Sequence, residues 1–129
     1  GHSLGAALAA HCALDLAVNH GLPNVVSLTF GQPRVGNQKF AEYFGTRLPG
    51  RFRVVHNDDI VPHLPPTHLG FWHEPTEVWN TGDATETKVC DGSGEDQSCS
   101  ASVGLLSWSI EDHLHYLGMH TGCRDYSVQ

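Results

Sequence analysis

Apolar residues recur along the first half of the chain with two spacings, one typical of helices and the other of buried strands. The first helical stretch consists of alanines and larger apolar residues, and Gly21 and Pro23 end it. A helix so poor in charge is expected to be covered on most sides. Strand, helix and strand in succession imply parallel strands joined by a right-handed crossover. The predicted elements are a helix over 5–19, a strand over 25–30, a helix over 38–48 with Asn37 as its N-cap, and a strand over 52–56.

The second half of the chain is richer in loops. Short strands are predicted over 77–79 and 86–90, on either side of a glycine turn. Ser109, followed three residues later by Asp112, resembles a helix cap, so we expect His113 on or beside a short helix. Together the two halves predict an α/β fold with a mostly parallel sheet and flanking helices.

Size and composition limit the classes of function. The chain has 129 residues, of which 40% are hydrophobic and 16% charged, so residues 1–129 are expected to form one soluble domain. The net charge of −7, with seven Lys and Arg in total, argues against nucleic acid as a partner, because nucleic-acid affinity rests on clustered cations. The sequence contains no apolar run of about 20 residues, so no transmembrane segment is predicted.

Four cysteines are present. Cys90 and Cys99 bracket a short polar loop, which favours a loop-closing disulfide over a zinc site and, with it, an oxidising secretory compartment. Cys12 falls on the apolar face of the first helix and is expected to be a small buried residue. Cys123 has no obvious partner within these residues.

The chain opens with Gly1-His2-Ser3-Leu4-Gly5, a Gly-x-Ser-x-Gly pentapeptide that runs directly into the first predicted helix. This spacing is typical of a nucleophile elbow, a sharp strand-to-helix turn that pushes the serine oxygen outward. Ser3 is therefore the candidate nucleophile, although glycine and serine also form ordinary turns. Because an elbow follows a strand and the chain has no initiator Met, we expect the C-terminal part of a longer protein, whose N-terminal strands lie outside these residues.

Four sequence blocks together carry a resemblance to a known family. They are Gly-His-Ser-Leu-Gly at 1–5, Phe-Gly-Gln-Pro-Arg-Val-Gly-Asn at 30–37, Asn-Asp-Asp-Ile-Val-Pro-His-Leu-Pro-Pro at 57–66 and Asp-His-Leu-His-Tyr-Leu-Gly at 112–118. In this order they resemble the class 3 (fungal-type) lipases of the α/β-hydrolase superfamily. The resemblance implies that Asp59 is the triad acid and that His113 is the base. A serine hydroxyl needs such a base to become a strong nucleophile, and the carboxylate holds the base in one tautomer.

Other residues compete for these roles. Asp58 neighbours Asp59, but adjacent residues generally project in different directions. Asp112 neighbours His113, and sequence neighbours on a helix do not face each other. A near-regular histidine trio suggests a metal site as an alternative: His63, His68 and His73. Two prolines within the trio and the lack of a nearby cysteine argue against this site, so we expect neither a metal nor a cofactor.

The same resemblance implies further roles. The backbone N–H of Leu4 would supply one half of the oxyanion hole, while the second donor and the lid of the family lie upstream of the elbow. Cys90–Cys99 would be a family disulfide, and Cys123 would pair with an N-terminal cysteine. The acyl pocket would be lined by four residues, for which plain core packing is an equal alternative: Val61, Leu64, Pro65 and Leu114.

The implied activity is carboxylic ester hydrolysis through an acyl-enzyme intermediate, by a secreted protein acting on triacylglycerol at an oil–water interface. Val61 favours this substrate over the feruloyl esters of the same superfamily, whose enzymes have a more polar loop here, and phospholipase A1 activity is a further alternative. A different hypothesis is that these residues alone are a non-catalytic truncated fragment that needs its N-terminal half. A structural or lectin-like module is disfavoured, because it would leave the ordered Ser, Asp and His blocks without a role.

Overall fold

The computed structural model of the protein describes residues 1–82 and 86–122. In chain order, the helices and strands are α1 (Leu4–Val18), β1 (Val26–Phe30), β2 (Gly36–Asn37), α2 (Gln38–Arg47), β3 (Gly50–His56), β4 (Phe71–Trp72), β5 (Glu77–Thr81), β6 (Glu86–Val89), α3 (Ile110–His113), β7 (His115–Tyr116) and β8 (Met119–His120). The predicted helices and strands are confirmed, with ends that differ by one or two residues at most.

The central sheet has four strands in the spatial order β1-β3-β5-β6. The first three are parallel, and β6 is antiparallel to β5. His2 forms a further parallel bridge with Phe30 at the end of β1. Ser3, Gly31 and Asp59 therefore emerge at the same edge of the sheet, which is where open α/β sheets place their ligand sites.

Helices α1 and α2 pack on one face of this sheet. Their shared core consists of small and large apolar side chains: Ala10, Ala13, Phe44 and Leu48. The side chain of Asn37 caps α2 by accepting a hydrogen bond of 2.9 Å from the backbone N–H of Phe40, as its position before the helix predicts. The helices thus fix the sheet edge from which the candidate residues emerge.

Only one face of α1 is covered. Ala6, Ala10 and Ala13 are buried because their spacing places them on the same side of the helix. Leu4 and Leu8 are 71% and 63% exposed. The expectation that this helix would be covered on most sides is therefore wrong for this structure.

Cys12 also differs from expectation, because its side chain is exposed and not buried. Residues one position apart are separated by about 100° around a helix. Ala13 takes the buried side of α1, so Cys12 turns away from the sheet. Cys123 lies outside the described residues.

A buried ion pair between Arg34 and Glu95 joins two loops. Arg34 donates from Nε to Oε1 of Glu95 at 2.6 Å and from Nη2 to Oε2 at 2.7 Å. Its Nη1 donates to the carbonyl oxygens of His63 and Pro65. Glu95 lies in the loop that the Cys90–Cys99 disulfide closes, and this disulfide is the one the sequence predicts. Arg34 therefore links the loop that follows Asp59 to the disulfide loop.

Within the described ranges 1–82 and 86–122, no helix has the length and the apolar character needed to cross a membrane.

Candidate active site

Ser3 occupies a strained turn between the bridge to β1 and the start of α1. Its backbone has φ 56° and ψ −128°, and non-glycine residues seldom adopt a positive φ. Its N–H donates to the carbonyl oxygen of Phe30 at 3.0 Å. A Cβ at Gly1 would collide with the backbone carbonyl of Gly5, whereas a Cβ at Gly5 would meet nothing within 4 Å. Close backbone approach therefore explains the first glycine of the pentapeptide.

Three candidate side chains from distant parts of the chain lie in hydrogen-bonding contact. Ser3 Oγ is 2.8 Å from His113 Nε2. On the other side of the imidazole ring, Nδ1 is 2.9 Å from Oδ2 and 3.0 Å from Oδ1 of Asp59. Asp59 is fully buried and His113 is 8% exposed. With the proton on Nδ1, the ring donates to Asp59 and offers Nε2 as an acceptor for the serine hydroxyl.

Local structure places both partners of Ser3. Asp59 follows the end of β3 and bridges Ser109 in parallel, so the chain segments before Asp59 and His113 are held side by side. Ser109 Oγ accepts from the N–H of Asp112 at 3.0 Å and caps the single turn of α3, as predicted. His113 is the last residue of α3 and points into the protein.

Neither competitor of Asp59 is the carboxylate that contacts His113. Asp112 Oδ2 accepts from the backbone N–H of Asp58 at 3.3 Å, which joins the two neighbours of the candidate residues to each other. Asp58 is half-buried, whereas Asp59 has no exposed surface. The carboxylate within hydrogen-bonding distance of His113 is that of Asp59.

Tyr116 contacts the site without having been assigned a role from the sequence. Its hydroxyl donates to Oδ2 of Asp59 at 2.5 Å and accepts from the backbone N–H of His56 at 3.3 Å. Burial, followed by the charge of Asp59, raises the pKa of Tyr116 well above its ordinary value, so the hydroxyl keeps its proton. The tyrosine of the Asp-His-x-x-Tyr block was the available signal.

Gly31 is a second residue that the sequence did not single out. It has φ +55°, and a Cβ there would lie 2.8 Å from Oδ2 of Asp59 and 3.0 Å from Cε1 of His113. The Asp59–His113 pair therefore packs directly on a backbone position that only glycine fits.

The remaining predicted site residues are close in the chain to Ser3, Asp59 or His113. Leu4 is the first residue of α1, and the first N–H groups of a helix have no acceptor within the helix. Of the predicted acyl-pocket residues, Val61, Leu64 and Pro65 share the loop after Asp59, and Leu114 directly follows His113. Leu64 is 40% exposed and the other three are partly buried.

The three histidines of the trio make different contacts. His63 stacks on Trp108 with ring centroids 4.7 Å apart, and His73 Nε2 donates to the carbonyl oxygen of Pro62 at 2.7 Å. His68 is exposed. Burial is the main cause of a lowered pKa at both His63 and His73, and the pKa of His73 is lowered further. Both shifts suit neutral side chains with a structural role.

One group of close potential metal ligands occurs in the part of the chain that the structure describes. It consists of Glu77, Cys90 and Cys99. The two sulfur atoms are bonded to each other, so neither is the thiolate that a metal ion would bind.

Comparison with known proteins identifies relatives along nearly the whole chain. The family model described as Lipase (class 3) matches residues 1–69. A lipase of Rhizomucor miehei is 47% identical over 127 residues, which cover 95% of this chain and 34% of that protein. A secreted mono- and diacylglycerol lipase of Fusarium solani is 35% identical over 135 residues, which cover 99% of this chain and 39% of that protein.

Solved structures agree with these relatives. One is a triacylglycerol lipase described as having a serine protease triad at its catalytic centre. It matches with a TM-score of 0.85 and 45% identity, over 95% of this chain and 47% of that chain. The predicted α/β-hydrolase architecture is thereby confirmed. The chain spans about a third of the length of the first curated relatives that it matches.

Proposed function

This chain belongs to the class 3 lipase family, and from that membership we propose that the protein hydrolyses carboxylic esters with Ser3 as nucleophile, His113 as base and Asp59 as the acid that orients the base. One observation carries the proposal. A continuous series of hydrogen bonds joins Ser3 to His113, 110 residues away, and His113 to Asp59, 54 residues away. Such a series is the arrangement that activates a serine hydroxyl.

The first half of the proposed reaction forms an acyl-enzyme. Ser3 Oγ attacks the ester carbonyl carbon while Nε2 of His113 takes the hydroxyl proton. The negative charge that develops on the carbonyl oxygen is stabilised by the backbone N–H of Leu4, at the start of α1. Collapse of the tetrahedral intermediate breaks the bond to the alcohol, which leaves with the proton from His113.

The second half releases the acid. A water molecule attacks the acyl carbon, His113 takes one of its protons, and the resulting intermediate expels Ser3 Oγ, which regains the proton. Asp59 stays ionised and stabilises the positive charge on His113 in both halves. The buried carboxylate and the ring nitrogen that it contacts need no rearrangement between the two halves.

Triacylglycerol at an oil–water interface is the proposed substrate. Two of the relatives are described as a triacylglycerol lipase and as a mono- and diacylglycerol lipase. Four residues that follow Asp59 or His113 in the chain are apolar, which suits an acyl chain: Val61, Leu64, Pro65 and Leu114. Phospholipids and feruloyl esters are the alternatives from the same superfamily.

A substrate panel tests this proposal on the full-length protein. Hydrolysis of a triacylglycerol emulsion, phosphatidylcholine vesicles and methyl ferulate is followed by the acid released. We expect the highest rate on triacylglycerol, and Ser3→Ala should lower it by more than about a thousandfold. The control is Ser107→Ala, at an exposed serine. A highest rate on phospholipid or ferulate would replace the substrate, and full activity of Ser3→Ala would refute the mechanism.

We also propose that the protein is secreted. One relative is described as secreted, and the Cys90–Cys99 disulfide suits an oxidising compartment. Activity should therefore be recovered from the culture medium of the producing organism. Activity confined to washed cells would contradict this assignment.

The 129 residues by themselves are proposed to have little or no activity. Exposed apolar side chains lie near the nucleophile turn: Leu4 and Leu8 on α1, and Leu28 on β1. Apolar surface that no other element covers leaves the local structure with few stabilising contacts. Ester turnover by the isolated chain at a rate near that of the full-length protein would refute this proposal.

A further inference from the structure

The side chain of His2 lies against the ring of His113. The two ring centroids are 4.5 Å apart and the ring planes are inclined by 28°. His2 Nε2 is 2.9 Å from the backbone carbonyl oxygen of His113. A carbonyl oxygen only accepts hydrogen bonds, so this nitrogen carries the proton and donates.

This contact gives residue 113 a second attachment to the nucleophile turn. Ser3 reaches the imidazole nitrogen of His113, and the adjacent His2 reaches its backbone oxygen and covers one ring face. A second side-chain donor, Thr121 Oγ1, lies farther from this oxygen, at 3.4 Å. Residues 2 and 3 thus hold both the backbone and the ring of a residue more than a hundred positions away.

A neutral His2 suits a neighbour that becomes charged during the reaction. Burial, the largest effect, lowers the pKa of His2, and the charges of His113 and the Gly1 amino group lower it further. Asp59 and the bond to the His113 carbonyl act in the opposite direction. A further neighbour, Tyr116, meets the ring edge to face at 5.4 Å. A neutral ring can pack against a protonated His113 without like-charge repulsion.

We propose that His2 is a positioning residue that holds His113 in line with Ser3, through its Nε2–H bond to the His113 carbonyl and its ring contact. The role rests on the proposed ester hydrolysis and adds to it a residue that acts through His113 and takes no proton itself. The expected effect is on kcat, because misplacing the base slows proton transfer without altering ester binding.

Three substitutions in the full-length protein separate positioning from simple packing. His2→Gln places an amide N–H near the position of Nε2, His2→Asn carries the same amide on a shorter side chain, and His2→Leu keeps apolar bulk without a donor. The control is His68→Leu, at an exposed histidine. Hydrolysis of a water-soluble p-nitrophenyl ester gives kcat and KM, and thermal unfolding shows that each variant is folded.

We expect His2→Leu and His2→Asn to lower kcat about tenfold, the effect of one lost hydrogen bond, with KM within about twofold. His2→Gln should recover most of the loss, and His68→Leu should match the parent protein. The role is overturned if folded His2→Leu retains full kcat, or if His2→Gln is as slow as His2→Leu. A parent protein without esterase activity would instead refute the proposed function itself.

Discussion

The carboxylate of Asp59 is held by three donors although it has no contact with solvent. Oδ1 accepts from the N–H of Val61 at 2.8 Å, Oδ2 accepts from Tyr116, and His113 Nδ1 approaches both oxygens. A buried charge is tolerated only when hydrogen bonds replace its lost hydration. The orientation of His113 therefore depends on residues that take no part in the proposed chemistry.

Tyr116→Phe should impair both stability and activity. The change removes a hydroxyl that donates to a buried carboxylate, and we expect the free energy of unfolding to fall by about 1.5–3 kcal/mol. A less restrained Asp59 should also lower kcat/KM about tenfold. Urea unfolding and ester hydrolysis measure the two effects, with the exposed Tyr43→Phe as control. Values within twofold of the parent in both kcat/KM and unfolding constant would show that the hydroxyl is dispensable.

Gly31→Ala tests the close packing of the Asp59–His113 pair. The new Cβ would press on Oδ2 of Asp59, so we expect kcat/KM to fall about 10- to 100-fold. Gly21→Ala is a matched control, because Gly21 has a similar φ of +62° but open space around its Cβ position. Both variants should lose about 1–2 kcal/mol of stability from the left-handed backbone. Equal activity of the two variants would argue against the proposed contact.

At the scale of elements, the loop after Asp59 is fastened to its surroundings by buried polar groups. Arg34 binds two of its carbonyl oxygens, and His73, directly after β4, donates to that of Pro62. These bonds hold the segment that continues from the candidate acid. Helix α3 is a single turn, so its position also depends on the bridge between Asp59 and Ser109.

His73 should make stability depend on pH below neutrality. Burial lowers the pKa of His73 in the folded protein well below the ordinary value of 6.5, which applies to the unfolded chain. At a pH between the folded and the unfolded pKa, the unfolded chain therefore binds more protons than the folded one. The contribution of neutral His73 to the free energy of unfolding is complete above about pH 6.5 and is lost as the pH falls below this value. We expect His73→Gln to show a shallower decline than the parent in urea unfolding between about pH 7.5 and 5.5. Parallel declines would exclude His73 as a cause.

The sequence predicts the long elements and the nucleophile because those signals are local. Apolar spacing defines α1 and β1, and the pentapeptide around Ser3 is contiguous. Two adjacent aspartates do not reveal which one faces the imidazole, so the preference for Asp59 over Asp58 depends on the family resemblance. Local sequence patterns do not predict contacts between residues that are distant in the chain, such as those of Tyr116 with Asp59 and His56. The prediction of a buried Cys12 is wrong because the apolar residues of a helix do not reveal which side of it is covered.

At the scale of the whole molecule, one face of the sheet is apolar and uncovered. Leu28 on β1 and Phe52 on β3 are register neighbours and project from the same face, and both are close to half exposed. Val26 and Val89, on the same face, are each 65% exposed. Parallel sheets are ordinarily covered on both faces. The uncovered face fits a chain that spans about a third of the length of its relatives.

The isolated 129-residue chain should therefore associate with itself. Large exposed apolar patches promote association, and sedimentation velocity should detect species larger than a monomer as the concentration rises. Leu28→Lys should reduce this association by placing a charge on the sheet face. Leu69→Lys, at an exposed loop leucine, is the control and should have little effect. A chain that stays monomeric at all concentrations would contradict the inference that the apolar face of the sheet is a contact surface.

Active-site labelling of the full-length protein tests the central claim most directly. A fluorophosphonate reacts with an activated serine hydroxyl, and peptide mass spectrometry locates the adduct. We predict a single adduct on Ser3, a loss of ester hydrolysis in proportion to labelling, and neither labelling nor hydrolysis in Ser3→Ala. Labelling of a different serine, or hydrolysis that survives complete modification of Ser3, would contradict the assignment of Ser3, His113 and Asp59 as the catalytic residues.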